Sequence, residues 1–193
     1  GNPYVWYGTE NEPDPSYDVN GMIHAIYDAV RGAGNNTMVL INQDTPNGLD
    51  LSNMKNIGWD QHFYNNGGQY PSQAAADAAL SNFVDQLWAV AKIPVVVAEF
   101  GDGCCDGVDP GWQFSMNAVV NSNRIAGWAA WLYTPPDYGH DVLNNGTTPV
   151  GGGQLIAQAM TNAGPTAGQY SGQQYTQQLC QLGKAVYPNA AST

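Results

Sequence analysis

Short apolar runs alternate along this chain with longer stretches in which apolar residues recur at helical spacing, the pattern of an α/β domain built on a parallel sheet. Residues 3–12 read as a strand, stopped by Pro13-Asp14-Pro15. Residues 18–34 carry Met22, Ile23, Ile26, Tyr27 and Val30 at helical spacing, and Gly32 and Gly34 mark the end of that helix. Residues 37–42 (Thr-Met-Val-Leu-Ile-Asn) form a second strand, and residues 56–64 a third. Residues 72–92 are the longest helical stretch, opening on a capping Ser72 and presenting Leu80, Phe83, Val84, Leu87 and Val90 on one side. Residues 93–99 carry the clearest strand, and Pro94 costs little at its start. A loop rich in glycine and cysteine over residues 101–109 leads to a helix at 111–123, a fifth strand at 125–133 and a short helix at 152–162. From residue 164 onward Gln, Gly, Ser and Tyr dominate, although Tyr175, Leu179, Leu182 and Val186 still make one apolar helical face. Residues 164–193 are therefore expected to be a linker and docking helix, with a disordered end as the competing reading.

Composition narrows the partners. The chain has 193 residues, long enough for one domain with a substantial core, and its five Lys and Arg stand against 16 Asp and Glu for a formal net charge of −11. Nucleic acid and anionic membrane surfaces both need a basic footprint, so neither is expected as a partner. A neutral glycan is compatible. No run approaches the roughly 18 apolar residues of a membrane helix. Two Asn-x-Thr acceptors, Asn35-Asn36-Thr37 and Asn145-Gly146-Thr147, and the low lysine content point to a secreted, extracellular glycoprotein. Cys104, Cys105 and Cys180 make an odd count, so disulfide pairing within the chain leaves one thiol over.

Two glutamates end apolar runs: Glu12 in Thr9-Glu10-Asn11-Glu12-Pro13, and Glu99 in Val95-Val96-Val97-Ala98-Glu99-Phe100-Gly101. Buried parallel strands would carry both carboxylates to the rim of a sheet. Retaining glycoside hydrolysis needs such a pair, one carboxylic acid to protonate the leaving oxygen and a second carboxylate about 5 Å away to attack the anomeric carbon. Ordinary solvated strand-end carboxylates are the bland alternative. Glu10 shares the strand parity of Glu12 but lies two residues deeper and lacks the preceding Asn. Three histidines without ligand-like spacing give no case for zinc, and the acidic loop of Asp102, Asp106 and Asp109 matches no defined calcium loop. No metal or cofactor is expected. His24 reads as a surface or packing histidine, His140 as a loop histidine and Trp59 as core; Tyr70 and Trp112 are candidates to extend a sugar-stacking cleft.

Asn11-Glu12-Pro13 after an aromatic strand, His62-Phe63-Tyr64, Glu99-Phe100-Gly101 after a Val-rich strand, and Gly127-Trp128-Ala129-Ala130-Trp131 together resemble glycoside hydrolase family 5, the cellulase-like branch of the retaining (β/α)8 clan. The four landmarks fall in the family's order, with the two glutamates 87 positions apart. The resemblance implies Glu12 as general acid/base and Glu99 as nucleophile. It also implies that Asn11 binds the sugar 2-hydroxyl, Tyr64 donates to Glu99, His62 lines the same rim, and Trp131 is the stacking platform under the sugar. Trp128, three residues earlier, faces the other side of a regular strand and is better read as packing. An acid/base works only while it holds its proton near neutral pH, which a neighbouring carboxylate and partial burial favour, whereas a nucleophile works ionised, which hydrogen-bond donors favour.

The resemblance spans residues 3–162, corresponding to the fourth through eighth strand-helix units, so residues 1–163 are expected to be the C-terminal portion of a TIM-barrel glycoside hydrolase domain. Five parallel units cannot close an eight-stranded barrel and would leave two unpaired edges. Three arrangements follow: a C-terminal portion of a longer or cut polypeptide completed by an N-terminal barrel portion, a half-barrel capped by other copies of the chain, or a half-barrel capped by residues 164–193. The expected function is retaining hydrolysis of a β-linked polysaccharide, a β-glucan or mannan, in a chain that by itself is either active or inert. The competing expectation is a noncatalytic extracellular glycan-binding or filament-assembly protein derived from a half-barrel.

Overall fold

The computed structural model describes residues 5–104, 107–131, 144–145, 148–149 and 151–162. Five parallel strands form one sheet: β1 (Tyr7–Gly8), β2 (Val39–Asn42), β3 (Ile57–His62), β4 (Val95–Glu99) and β7 (Gly127–Trp128). Each strand pairs with the next in sequence, so the order across the sheet is β1-β2-β3-β4-β7. Parallel strands laid down in sequential order are the arrangement of a (β/α)8 barrel wall, and the chain is an α/β partial barrel. Between β4 and β7 lie two short antiparallel strands, β5 (Gly103–Cys104) and β6 (Gly107–Val108). A second small pair follows β7, β8 (Asn144–Asn145) with β9 (Thr148–Pro149).

Four α-helices are described. α1 (Val19–Gly32) links β1 to β2, α2 (Gln73–Ala91) links β3 to β4, α3 (Trp112–Val120) precedes β7, and α4 (Gly152–Asn162) ends the described chain. Their limits follow local chemistry. Asp18 caps α1 by accepting from the Gly21 N–H at 2.9 Å, and Ser72 caps α2 by accepting from the Ala75 N–H. Lys92 ends α2 in the left-handed conformation at φ 56°. At the C-terminal end of α1, the Arg31 guanidinium lies over the Tyr27 ring and donates to the carbonyls of Asn35, Thr37, Lys55 and Asn56. One side chain thus satisfies backbone acceptors at the entrances to β2 and β3.

The core lies between this sheet and its helices. Val39 and Ile41 of β2, Trp59 of β3, and Val95 and Val97 of β4 are fully buried, as are Leu87 of α2 and Val119 of α3. Ile23 of α1 and Leu80 and Val84 of α2 belong to the same cluster. Trp59 is a core residue as expected, tilted against Phe83. Trp128 packs edge-on to Phe100 with ring centroids 5.7 Å apart, in keeping with a packing role.

Some boundaries differ from expectation. The first strand is only two residues long, because its backbone ladder stops where side chains take over: the Asn42 N–H donates to Thr9 Oγ1, and the Glu12 N–H to Asn42 Oδ1. The fifth strand is assigned only at Gly127 and Trp128, although Ala126, Ala129 and Trp131 donate in turn to the carbonyls of Val95, Val97 and Phe100. Those partners advance unevenly, and the slipping register breaks the regular ladder. Residues 101–109, expected as a plain loop, contain the β5–β6 pair. The expected linker and docking helix at 164–193, any pairing through Cys105 and Cys180, and His140 lie outside the described residues. Among the described residues no helix is long and apolar enough to cross a membrane.

Candidate active site

The C-terminal ends of four neighbouring strands converge on one group of polar side chains. Glu12 lies beyond β1, Asn42 ends β2, His62 ends β3 with Tyr64 two residues on, and Glu99 ends β4. The strand ends of a parallel barrel face a common mouth, so residues distant in sequence meet there. A register shift helps: Asp60 pairs with Val96, yet His62 pairs with Glu99 rather than with Ala98. The extra residue on β4 sets Glu99 opposite His62, the kind of re-aiming that bulges produce beside functional sites.

One donor or acceptor atom from each of Glu12, His62 and Glu99 lies within 4.8 Å of the others. His62 Nδ1 is 2.7 Å from Glu12 Oε1 and 3.5 Å from Glu99 Oε2. The Tyr64 hydroxyl donates to Glu99 Oε1 at 2.9 Å. Glu99 is thereby held by an O–H donor on one oxygen and faces the imidazole with the other, while the Glu12 carboxylate meets the imidazole. The donors are of types that hold divalent cations, but hydrogen bonding within the group accounts for its geometry.

The two carboxylates differ sharply in exposure. The Glu99 side chain is 12 % exposed and that of Glu12 62 %, so the partial burial expected for Glu12 is corrected. The cause is its strand: among the described residues β1 pairs with β2 alone, and Val5, Trp6 and Tyr7 are exposed along it. Beneath His62 sits Asp60, with Oδ1 at 3.8 Å from Nε2, and burial pushes the Asp60 carboxyl up from its ordinary value.

A cleft of about 280 Å3 adjoins the group, running from Glu12 and His62 past Gln61 and Tyr64 to Gln69 and Tyr70. Tyr70 stacks on Phe63 at 5.1 Å, which fixes one wall. Asn11 is exposed beside Glu12. Trp131 is 45 % exposed and sits at the rim, where its N–H donates to the Phe100 carbonyl, but it does not line this cleft. Glu10 is exposed and stands outside the cluster that Glu12 joins. His24 ties α1 to the β2–β3 connection through the Asp50 carbonyl, a structural contact. Asp102 is buried and accepts from the N–H of Gly152 at the start of α4, while Asp109 Oδ1 takes the Gly67 N–H at 3.4 Å; Asp106 lies outside the described residues.

Asn42 went unremarked in the sequence. It is 5 % exposed, accepts the Glu12 N–H at 2.7 Å and places Nδ2 3.0 Å from His62 Nε2. The available signal was its position, a polar residue closing an apolar strand as Glu99 does.

A partial parallel barrel with two carboxylates converging at its strand ends has the architecture of a barrel glycosidase. The family model for cellulase (glycosyl hydrolase family 5) matches residues 1–137, and the chain belongs to that family. Among solved structures the chain is similar to an endo-beta-1,4-glucanase from Xanthomonas axonopodis pv. citri, with a TM-score of 0.52 and 19 % identity over 73 % of this chain and 54 % of that one. The likeness concerns the fold, and the chain spans about half the length of the structure it matches. No curated protein matches it.

Proposed function

We propose that the chain carries the catalytic pair of a retaining β-glycosidase acting on a β-linked polysaccharide, a β-glucan or mannan, with Glu12 as acid/base and Glu99 as nucleophile. The observation that supports this most is the approach of the two carboxylates to within 4.8 Å around His62. Retaining pairs stand about 5–5.5 Å apart, whereas inverting pairs need about 6.5–9.5 Å to admit a water. In the first step a Glu99 oxygen bonds to the anomeric carbon while the glycosidic C–O bond breaks, and the leaving oxygen takes the Glu12 proton. In the second, water attacks that carbon and gives a proton to Glu12, and the Glu99 ester bond breaks to restore its carboxylate. The Tyr64 donor holds one Glu99 oxygen and aims the carboxylate, and the greater exposure of Glu12 suits it to meet leaving group and water in turn. Asn11 binds the sugar 2-hydroxyl, and Trp131 stacks under a sugar at the rim.

A second observation bears on completeness. Among the described residues the outer edge of β1 has no strand partner, and Val5, Trp6 and Tyr7 are 42, 44 and 38 % exposed there. An N-terminal barrel portion, or another copy of the chain, completes the wall in this reading. The noncatalytic glycan-binding alternative draws on the same open edge. In this reading residues 1–163 are the C-terminal portion of the barrel domain, in an extracellular protein.

Aryl β-cellobioside and β-mannobioside hydrolysis by wild type, Glu12→Gln and Glu99→Gln tests the reading, with product stereochemistry followed by proton NMR. Turnover by wild type with the β-anomer appearing first, and its loss in Glu99→Gln, is the expected result. Equal inertness of folded wild type and Glu99→Gln would remove the enzyme reading.

A further inference from the structure

Asn42 joins the two halves of the catalytic group. Its neighbour Glu12 has a backbone φ of 44°, a left-handed conformation that side-chain-bearing residues rarely adopt and that needs support from its surroundings. The support is the 2.7 Å hydrogen bond from the Glu12 N–H to Asn42 Oδ1. A backbone N–H can only donate, so this contact identifies Oδ1 and directs the Asn42 NH2 group toward the 3.0 Å contact with His62 Nε2. An amide NH2 can only donate as well. His62 Nε2 must therefore be the accepting nitrogen, and the imidazole proton resides on Nδ1, from which it reaches Glu12 Oε1 at 2.7 Å.

We propose that Asn42 is a positioning residue that fixes the proton of His62 on Nδ1 and holds the Glu12 backbone in its left-handed conformation, so that the imidazole presents an N–H to the carboxylate Glu12 becomes once its proton has passed to the leaving group. This inference rests on the roles assigned to Glu12 and Glu99 above, but its geometry stands apart from turnover. Every charged group facing His62 bears on it. Glu12 and Glu99 both approach Nδ1, where an N–H is attractive to both, and Asp60 Oδ1 stands off Nε2 at 3.8 Å. Without the Asn42 amide, Asp60 becomes the acceptor nearest Nε2 and draws the proton to that side. Nδ1 would then turn a lone pair toward two carboxylates. Free histidine side chains prefer the proton on Nε2, so the tautomer inferred here is one the surroundings impose.

Nitrogen-15 NMR of histidine-labelled protein reads the tautomer with no substrate present, and loss of the signal in His62→Gln assigns it. In wild type above neutral pH, Nδ1 should be pyrrole-like and Nε2 pyridine-like. Asn42→Leu removes both contacts together with the 3.4 Å one from Nδ2 to the Asp60 carbonyl, and Asn42→Asp keeps an acceptor for the Glu12 N–H while offering Nε2 a second one; in each, Nε2 should become pyrrole-like. With hydrolysis as readout, both variants should lose about tenfold to a hundredfold in kcat with KM little changed, the scale of one or two hydrogen bonds to a charged site. A wild-type His62 protonated on Nε2, or variants with an unaltered tautomer, would overturn the inference. The inferred tautomer in a folded but inert wild type would support the Asn42 arrangement while removing the enzyme reading, so the two failures are distinct.

Discussion

Gly101, two residues beyond Glu99, lies against the segment that carries Trp131, and a single methyl group there tests how tightly the rim is built. A Cβ added at Gly101 would lie 2.4 Å from the Trp131 carbonyl oxygen, and 3.6 Å from a ring carbon of Tyr64. Cβ contacts under 3.0 Å are essentially never tolerated, so in Gly101→Ala the Trp131 carbonyl must retreat by roughly 0.6 Å or more. The obstacle is backbone, and it is tied in place because the Trp131 N–H donates to the Phe100 carbonyl at 2.8 Å. Overpacking of this kind costs about 1–3 kcal/mol, which in a domain of this size lowers Tm by roughly 2–12 °C. Gly127→Ala is the matched control, since it sits in the adjacent strand β7 with nothing within 4 Å of an added Cβ. Urea denaturation of the two variants, with tryptophan fluorescence as probe, compares them directly. Gly101→Ala should be destabilised relative to Gly127→Ala and show an altered native emission spectrum, because Trp131 is displaced. Equal stability with an unchanged spectrum would refute the close approach of the two strands.

Tyr64→Phe removes the 2.9 Å donor to Glu99, and the loss of about 1.5–3 kcal/mol for a hydrogen bond to a charged group predicts a roughly 10–150-fold fall in kcat with KM little changed; unchanged steady-state kinetics would contradict the orientation of the nucleophile. Asn65 is fully buried, with Nδ2 donating to the carbonyls of Tyr70, Pro110 and Gly111 and Oδ1 accepting from the Tyr70 N–H, so Asn65→Ala should cost about 3–5 kcal/mol by urea denaturation. A change below about 1 kcal/mol would remove Asn65 as the tie between the wall of the cleft and the start of α3. Burial raises the folded-state value of Asp102 above the unfolded value of about 3.9, so the folded protein binds more protons than the unfolded chain in that window. Its contribution to stability is complete below about pH 4 and is lost as pH rises through the folded value. Denaturation midpoints followed upward from pH 4 should therefore change less in Asp102→Asn than in wild type, and identical profiles would contradict this.

What the sequence made legible was local. Ser72 and the apolar face from Leu80 to Leu87 specify α2 without reference to anything distant, and the helix starts one residue after its cap. The run Val95-Val96-Val97 reads as a buried strand, and it lies inside the sheet, between β3 and β7. Glu12, His62, Tyr64 and Glu99 stood out because each follows an apolar strand within a recognisable short motif. Asn42 did not, because its role is made by pairing. Its partners are 30 and 20 residues away, and they meet it only once β1 and β3 lie on either side of β2. The same cause shortened the first strand: nothing in Thr9-Glu10-Asn11-Glu12 reveals that Thr9 and Asn42 side chains replace the ladder there. Exposure of Glu12 was equally hidden, since it depends on what covers the outer edge of β1.

Trapping the sugar on the enzyme tests the proposed nucleophile role of Glu99 most directly. An activated 2-deoxy-2-fluoro-β-cellobioside slows both steps but leaves a good leaving group, so the covalent intermediate accumulates, and peptide mapping by mass spectrometry locates it. One sugar should be attached to the peptide bearing Glu99, and none in Glu99→Gln. A label on any other residue, or unlabelled wild type that still hydrolyses the parent cellobioside, would contradict it.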